Sequence, residues 1–175
     1  MPDIHSTSTR RRSLTAEHGF ALIRITFGLV YLSNAIAKIT NLSDVHFGPL
    51  SGTLITQGGA RGILERAIDG TWFPLLGALY ENLVLSHWAF FGWFLAVAEL
   101  LIAVALLAGA ASRLAALAAL ALIGPIWLLV LGQGGYLWTY PVELLPLIAL
   151  SVAPSGRVWG LDRRIQRDGK RSWPF

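Results

Sequence analysis

Four long apolar segments divide this sequence, and together they contain only four charged side chains. A helix of about 20 apolar residues crosses a hydrocarbon core about 30 Å thick. The chain is 14% charged, whereas about a quarter is usual for a soluble domain. The pattern predicts an all-α integral membrane protein whose spans cover residues 19–39, 87–108, 114–131 and 136–153.

The links between the predicted spans define how these helices are arranged. "GAASR" and "GQGG" are too short for anything but antiparallel neighbours, which predicts a four-helix bundle over residues 19–154. The connection 40–86 is long and rich in Gly and Pro. Within it, "ARGILERAID" places Ile63, Leu64 and Ala67 on one face, which is typical of a short helix lying at the membrane interface.

Lys and Arg are distributed unevenly about these spans. They concentrate in the tails 1–18 and 155–175, whereas the 40–86 connection carries only Arg61 and Arg66. The positive-inside rule therefore predicts a multi-pass protein of the inner (plasma) membrane with both termini cytoplasmic and the long loop outside. Basic tails beside apolar spans indicate attraction to anionic lipid of the bilayer rather than to nucleic acid.

The residue types exclude several kinds of redox site. The chain has no cysteine, and none of its four histidines lies in the middle of a span. Thiolate metal sites, iron–sulfur clusters and an intramembrane bis-histidine haem are therefore not expected. We expect no metal, haem or flavin, so a redox role would require a diffusible quinone or a protein partner.

Charged residues inside the spans predict an interior polar site. Arg24, Tyr31 and Lys38 recur every seven residues and so share one helix face, with Asn34 beside it. Because intramembrane charges are costly, they should face the bundle interior and find partners. Glu99 shares its helix face with small residues, which allow a neighbouring helix to approach. We expect Arg24 to reach Glu99, and Lys38 to pair with Glu143 or to share Glu99.

Two interpretations of this cluster remain open. In the functional one, Glu99, Arg24, Lys38 and Glu143 act on a substrate, and the cation pair attracts a quinone carbonyl or a small anionic substrate. Tyr31, Asn34 and Tyr140 then contact the quinone. In the structural one, the buried charges only fix the register of the helices. Aromatic residues near Tyr140 also suit an ordinary interfacial belt.

Four stretches of the sequence resemble the DoxX/DoxD family. "LIRITFGLVYLSNAIAKI" is similar to the family's first helix, and "VAELLIAVALLAGAASRLAAL" to its second and third helices. "ENLVLSHWAFFGWF" and "SGRVWGLDRRI" are similar to the DoxD branch. The family's usual Gly or His–Gly before the lysine is Ser33–Asn34 here. The matching positions are Arg24, Gly28, Lys38, Glu99, Gly109 and Arg113.

The resemblance implies a four-helix membrane bundle. For DoxD-type proteins, it also implies electron transfer from a reduced sulfur compound to quinone, as in the small subunit of thiosulfate:quinone oxidoreductase. We therefore expect a quinone-linked subunit with a protein partner in a membrane complex. The alternative is a non-catalytic accessory or assembly subunit. Transport of a small anion or lipid is a third, less supported expectation, since no repeat or pair of broken helices accompanies it.

Overall fold

The computed structural model describes residues 16–134 and 139–163, and most of these residues are helical. A π-helical turn, Tyr80–Leu85, extends the third helix, and a 3-10 turn, Ser155–Arg157, follows the last one. The helices are α1 (Ala16–Thr40), α2 (Gln57–Asp69), α3 (Pro74–Leu79), α4 (Trp88–Ala108), α5 (Ser112–Val130) and α6 (Thr139–Val152).

Within the described ranges, α1, α4 and α5 are long and apolar enough to cross a membrane. This indicates a membrane protein. Helix α6 is apolar but shorter, at 14 residues, and residues 136–138 of the predicted fourth span lie outside the described part. Both α5 and α6 contain a proline, Pro125 and Pro146, and each proline removes one backbone hydrogen bond from its helix.

The four longer apolar helices pack around one core. Helix α1 packs mainly against α4, and α5 packs mainly against α6. The side where α1 begins and α4 ends is called the tail end, and the opposite side the loop end. Small side chains allow these helices to approach closely. The buried core residues are Tyr31, Ile102, Ala103, Leu106, Ala115, Ala119 and Leu147.

Helices α1 and α4 are staggered along their axes. A Cβ added at Gly28 would lie 2.8 Å from the Leu107 side chain, so the two helices are in close contact there. Lys38, near the end of α1, meets Glu99, which lies 11 positions into α4 from Trp88. Helix α4 therefore extends beyond the end of α1 by about 14 Å at 1.5 Å per residue.

The loop between α1 and α4 departs from the all-α expectation. Strands β1 (Asp44–Phe47) and β2 (Leu50–Thr53) form an antiparallel hairpin before α2 begins. Helix α2 is present where an interfacial helix was predicted. Its apolar residues Leu64 and Ala67, however, are buried against Leu129 of α5 and do not face lipid. Helix α2 therefore packs on the bundle through this face.

Candidate functional site

A cavity of about 330 Å³ lies toward the loop end of the bundle. Its volume falls at the lower end of the range of about 300–1,000 Å³ found for small-molecule sites. Helices α1, α4, α5 and α6 enclose it, while α2 and the π-helical turn cover it. Its polar lining consists of Tyr31, Lys38, Tyr80, Trp88, Glu99 and Glu143.

An ion pair forms one polar wall of the cavity. The Lys38 Nζ atom lies 2.9 Å from a Glu99 carboxylate oxygen, and both side chains are almost fully buried. Lys38 also donates to the Ile55 carbonyl at 3.1 Å. A second bond, from Gln57 Nε2 to the Lys38 carbonyl at 3.2 Å, ties the start of α2 to the end of α1. Of the two expected pairings for Lys38, the structure contains the one with Glu99.

Glu143 forms a second polar wall. Its carboxyl group accepts a hydrogen bond from Trp127 Nε1 at 3.2 Å. Among residues 16–134 and 139–163 it has no ion-pair partner. The cavity therefore contains one cation, Lys38, and two carboxyl groups.

The Tyr31 hydroxyl is the unusual group in this cavity. Tyr31 is only 4% exposed, and its hydroxyl makes no hydrogen bond to the described residues. It lines the same cavity as Glu143 and Glu99. A buried polar atom without a partner costs about 1–3 kcal/mol. The hydroxyl is therefore free to bond a ligand or a water in the cavity.

The remaining walls of the cavity are aromatic and aliphatic. Phe91, Phe94 and Trp88 come from the first half of α4, and Tyr80 comes from the π-helical turn. Burial raises the pKa of the Tyr80 hydroxyl above its usual range, so Tyr80 stays a neutral hydroxyl at physiological pH. A few polar groups set in apolar walls are typical of a small-molecule site.

Arg24 lies away from this cavity, which corrects the expectation that it reaches Glu99. Its Nη1 donates to the carbonyls of Leu106 and, at 3.3 Å, Leu107, in the last turn of α4. Its Nη2 donates to the carbonyls of Trp159, at 3.0 Å, and Val158, at 3.4 Å. The stagger instead brings Glu99 to Lys38 and the end of α4 to Arg24.

Around Arg24 the chain closes on itself in what we call the tail-end clasp, made of Arg24, the turn 109–112 and residues 155–162. The Asp162 carboxylate accepts hydrogen bonds from Ala111 N (2.7 Å), Ser112 N (3.2 Å) and Ser112 Oγ (2.8 Å). It thereby caps the start of α5. Gly109, with φ of +62°, leaves no room for a side chain beside Gly160.

Two further predicted residues have different outcomes. Asn34 is half-buried and does not line the cavity. The side chain of Tyr140 lies outside the described part of the chain. Sequence reasoning missed Trp127 as the partner of Glu143. Its signal was present, because Trp127 follows Ile123 by four residues and so continues an inward-facing stripe of α5.

No group of three or more metal-ligating side chains (His, Cys, Asp or Glu) occurs among residues 16–134 and 139–163. Comparisons with family models, with curated proteins and with solved structures find no match to this chain.

Proposed function

We propose that this chain is a quinone-linked membrane subunit of the DoxX/DoxD type, and that the cavity binds the quinone ring. One observation carries the proposal: a buried hydroxyl without a partner, Tyr31, opens onto an aromatic cavity beside the Lys38–Glu99 ion pair. The catalytic groups of the proposal are Glu99, Glu143 and Lys38. Arg24 is reassigned to structure.

The chemistry of the walls favours a flat, neutral head group. Phe91 and Trp88 offer ring faces for stacking, and Tyr31 can donate to a carbonyl oxygen. A small anion in the cavity would lie beside two carboxyl groups, Glu99 and Glu143. The one lysine there, Lys38, is already paired with Glu99. This balance disfavours the small anionic substrate as an occupant of the cavity, and a reduced sulfur compound would react elsewhere.

Reduction of a quinone to a quinol takes up two electrons and two protons. Glu99 and Glu143 are the carboxyl groups that exchange protons with the bound ring. Lys38 holds Glu99 in place through the 2.9 Å contact. Because the chain has no cysteine, the electrons come from a partner protein with its own redox centre that oxidises the reduced sulfur compound.

The proposal includes the finer architecture. Helix α6 is the fourth span, since it packs along α5 and contributes Leu147 to the shared core. Helix α6 is short and contains two prolines, Pro141 and Pro146. Such a helix is tolerated in a membrane when neighbouring helices support it. Both tails are cytoplasmic, and the hairpin and α2 lie on the extracytoplasmic side of the inner membrane. The distribution of Lys and Arg supports this orientation.

The test is to purify the full chain from membranes, extract it with organic solvent, and measure quinone by chromatography. The proposal expects quinone in near-stoichiometric amount, reducible by thiosulfate when the partner is present. Glu99→Gln should lower quinone reduction at least tenfold. The matched control is Glu65→Gln, which alters an exposed ion pair with Arg61 that does not line the cavity. Equal behaviour of the wild type and Glu99→Gln in both stability and quinone reduction would refute the role of Glu99.

A non-catalytic accessory role is the second candidate. It is favoured by the partners that both buried cations have within the protein: Lys38 has Glu99 and a carbonyl, and Arg24 has four carbonyls. Gentle detergent extraction followed by mass measurement distinguishes the candidates. A stoichiometric partner that carries redox centres, together with no quinone bound to this chain, would support the accessory role.

A further inference from the structure

Residues 72–87, between α2 and α4, form a helical segment that packs on the bundle through one side. We call it the connecting segment; it consists of α3, the π-helical turn and the residues that flank them. Its inner side, with Leu76, Tyr80 and Val84, packs on the apolar cluster around Leu129 of α5. Tyr80 and Val84 also line the cavity. The connecting segment is therefore a wall of the cavity as well as a link between helices.

The outer side of the connecting segment is apolar too, and no other described element covers it. Trp72 is 76% exposed and Leu75 is 86% exposed, while Leu79 and Leu83 are each about half exposed. The three leucines are spaced by four residues, so they form one stripe along the helix. An exposed apolar patch of this kind marks a surface that contacts a membrane or another protein.

The position of the leucine stripe along the bundle favours lipid. The connecting segment packs on Ile126, Leu129 and Val130, in the last turns of α5, which is one of the helices long and apolar enough to cross a membrane. It leads through only two residues into α4, a second such helix, where Phe90 is 65% exposed in the first turn. The stripe therefore lies at the level where two membrane-crossing helices reach one surface of the bilayer.

The polar side chains of the connecting segment bond back to its own backbone. Asn82 Nδ2 donates to the Ala78 carbonyl at 2.8 Å, and Ser86 Oγ donates to the Glu81 carbonyl at 3.0 Å. Thr40, at the end of α1, makes the same kind of bond to the carbonyl four residues before it. Polar groups that border hydrocarbon need such internal partners, because lipid offers none. This pattern is a second reason to place the segment against lipid.

Helix α2 shows how a water-facing element of the same loop differs. The exposed positions of α2 include four charged residues, Arg61, Glu65, Arg66 and Asp69. The connecting segment has one charged residue, Glu81, which is exposed and lies roughly half a turn around the helix from Leu79. A helix lying along the membrane surface would thus direct Leu79 toward acyl chains and Glu81 toward head groups.

We infer that the connecting segment is seated in the membrane leaflet at the loop end, with Leu75, Leu79 and Leu83 in contact with acyl chains. The partner of this surface is the lipid bilayer. The inference does not depend on which ligand the cavity binds. It means that the cavity wall formed by Tyr80 and Val84 has lipid, and not water, on its outer side.

Spin labels test this position directly, because the chain contains no cysteine of its own. The test variants are Leu75→Cys and Leu79→Cys. Arg66→Cys is the matched exposed position on α2, and Phe90→Cys is the matched exposed position on α4. Each full-length variant carries a nitroxide and is placed in nanodiscs of phosphatidylcholine and phosphatidylglycerol. Relaxation of the label by oxygen, which concentrates among acyl chains, is compared with relaxation by a water-soluble nickel chelate.

The ratio of oxygen to nickel accessibility at Leu75→Cys and Leu79→Cys should exceed that at Arg66→Cys at least fivefold, as it should at Phe90→Cys. A smaller difference at positions 75 and 79 would place the segment in water and overturn the inference. Low accessibility to both reagents at these positions would show that a second copy or a protein partner covers the stripe, which would overturn it as well. All four substitutions are at exposed positions, so the melting temperature should not change.

Trp72 provides a measurement without a label. The fluorescence that is lost in Trp72→Phe reports on Trp72 alone, because the other six tryptophans remain. Tryptophan is typical of the membrane interface, so lipid brominated near the head group should reduce this component about twofold relative to unbrominated lipid. An unchanged component in brominated lipid would overturn the inference.

Discussion

Two cations on one face of α1 have different surroundings at the two ends of the bundle. At the loop end, Lys38 pairs with a carboxylate and borders a cavity of about 330 Å³. At the tail end, Arg24 is fully buried and donates to four backbone carbonyls, with Gly109 packed against its guanidinium group. A buried charge is therefore not a functional site by itself; the adjoining open volume distinguishes Lys38 from Arg24.

The difference also follows from the chemistry of the two side chains. The planar guanidinium group has five N–H donors in a fixed fork, which suits the carbonyls at the end of a helix and of a neighbouring segment. The lysine ammonium is a compact charge that a single carboxylate and one carbonyl satisfy. Exchange of protons with a ligand requires a group at a cavity wall, and only the Lys38 end of the stripe provides one.

The largest expected effect is on stability and concerns Arg24. Arg24→Ala leaves several buried carbonyls without a donor, and at about 1–3 kcal/mol for each unpaired group the loss should reach about 3–5 kcal/mol. Unfolding in detergent measures it. Arg24→Lys keeps the charge but lacks the fork, and should lose about half as much. Quinone binding should survive in Arg24→Lys. If this variant keeps its stability but no longer binds quinone, Arg24 belongs to the ligand site.

The next effect concerns the ion pair at the other end. Lys38→Met leaves Glu99 buried without its cation, which should cost about 3–5 kcal/mol. The double variant Lys38→Met/Glu99→Gln removes both charges and should lie within about 2 kcal/mol of the wild type. If the pair serves a ligand, the double variant is stable but reduces no quinone. Normal quinone reduction by the double variant would show that the Lys38–Glu99 pair is structural, as Arg24 is.

Removal of the cap on α5 should have a smaller effect. Asp162→Ala deprives Ala111 N and Ser112 N of their acceptor and should cost about 2 kcal/mol. Chemical unfolding of this variant is compared with that of Glu65→Ala, which removes an exposed pair and should cost less than about 1 kcal/mol. Similar losses in the free energy of unfolding of the two variants would show that residues 155–162 contribute little to the stability of the bundle.

Two glycines in helices provide a smaller, matched comparison. Gly28→Ala would place a Cβ 2.8 Å from the Leu107 side chain, and the overpacking should cost about 1–3 kcal/mol. Gly124→Ala meets open space and should stabilise α5 by up to about 1 kcal/mol. Melting temperatures of the two variants should shift in opposite directions. A stable Gly28→Ala variant would contradict the close packing of α1 on α4.

The sequence predicted the buried face of α1, because residues spaced by seven share one helix face however the neighbouring helices pack. The structure confirms it: Arg24, Tyr31 and Lys38 are all buried. The partners of these residues were not predictable from the sequence in the same way. They depend on the axial stagger of α4 and on residues 158–159, which come from a distant part of the chain. The hairpin was also missed, because the strands Asp44–Phe47 and Leu50–Thr53 are short and lie in a region read as loop.

The cavity itself was only partly predictable. Intramembrane charge identified Lys38, Glu99 and Glu143, since such groups are rare and costly. Tyr80 was not assigned to the cavity, because it belongs to a connection whose folding over the bundle has no periodic signal. Trp88 was not assigned to it either, because at the start of a span it suits the membrane interface. Aromatic residues in such a connection resemble interfacial residues until the neighbouring helix is placed.

The Tyr31→Phe variant tests the central claim most directly, because it removes one oxygen atom that has no partner among the described residues. Stability measured by unfolding should be unchanged or higher, since no hydrogen bond within the described bundle is lost. Affinity for a benzoquinone should fall about tenfold, the value of one hydrogen bond of about 1.4 kcal/mol. A variant that binds quinone as the wild type does, with unchanged stability, would contradict the assignment of this cavity as a quinone site.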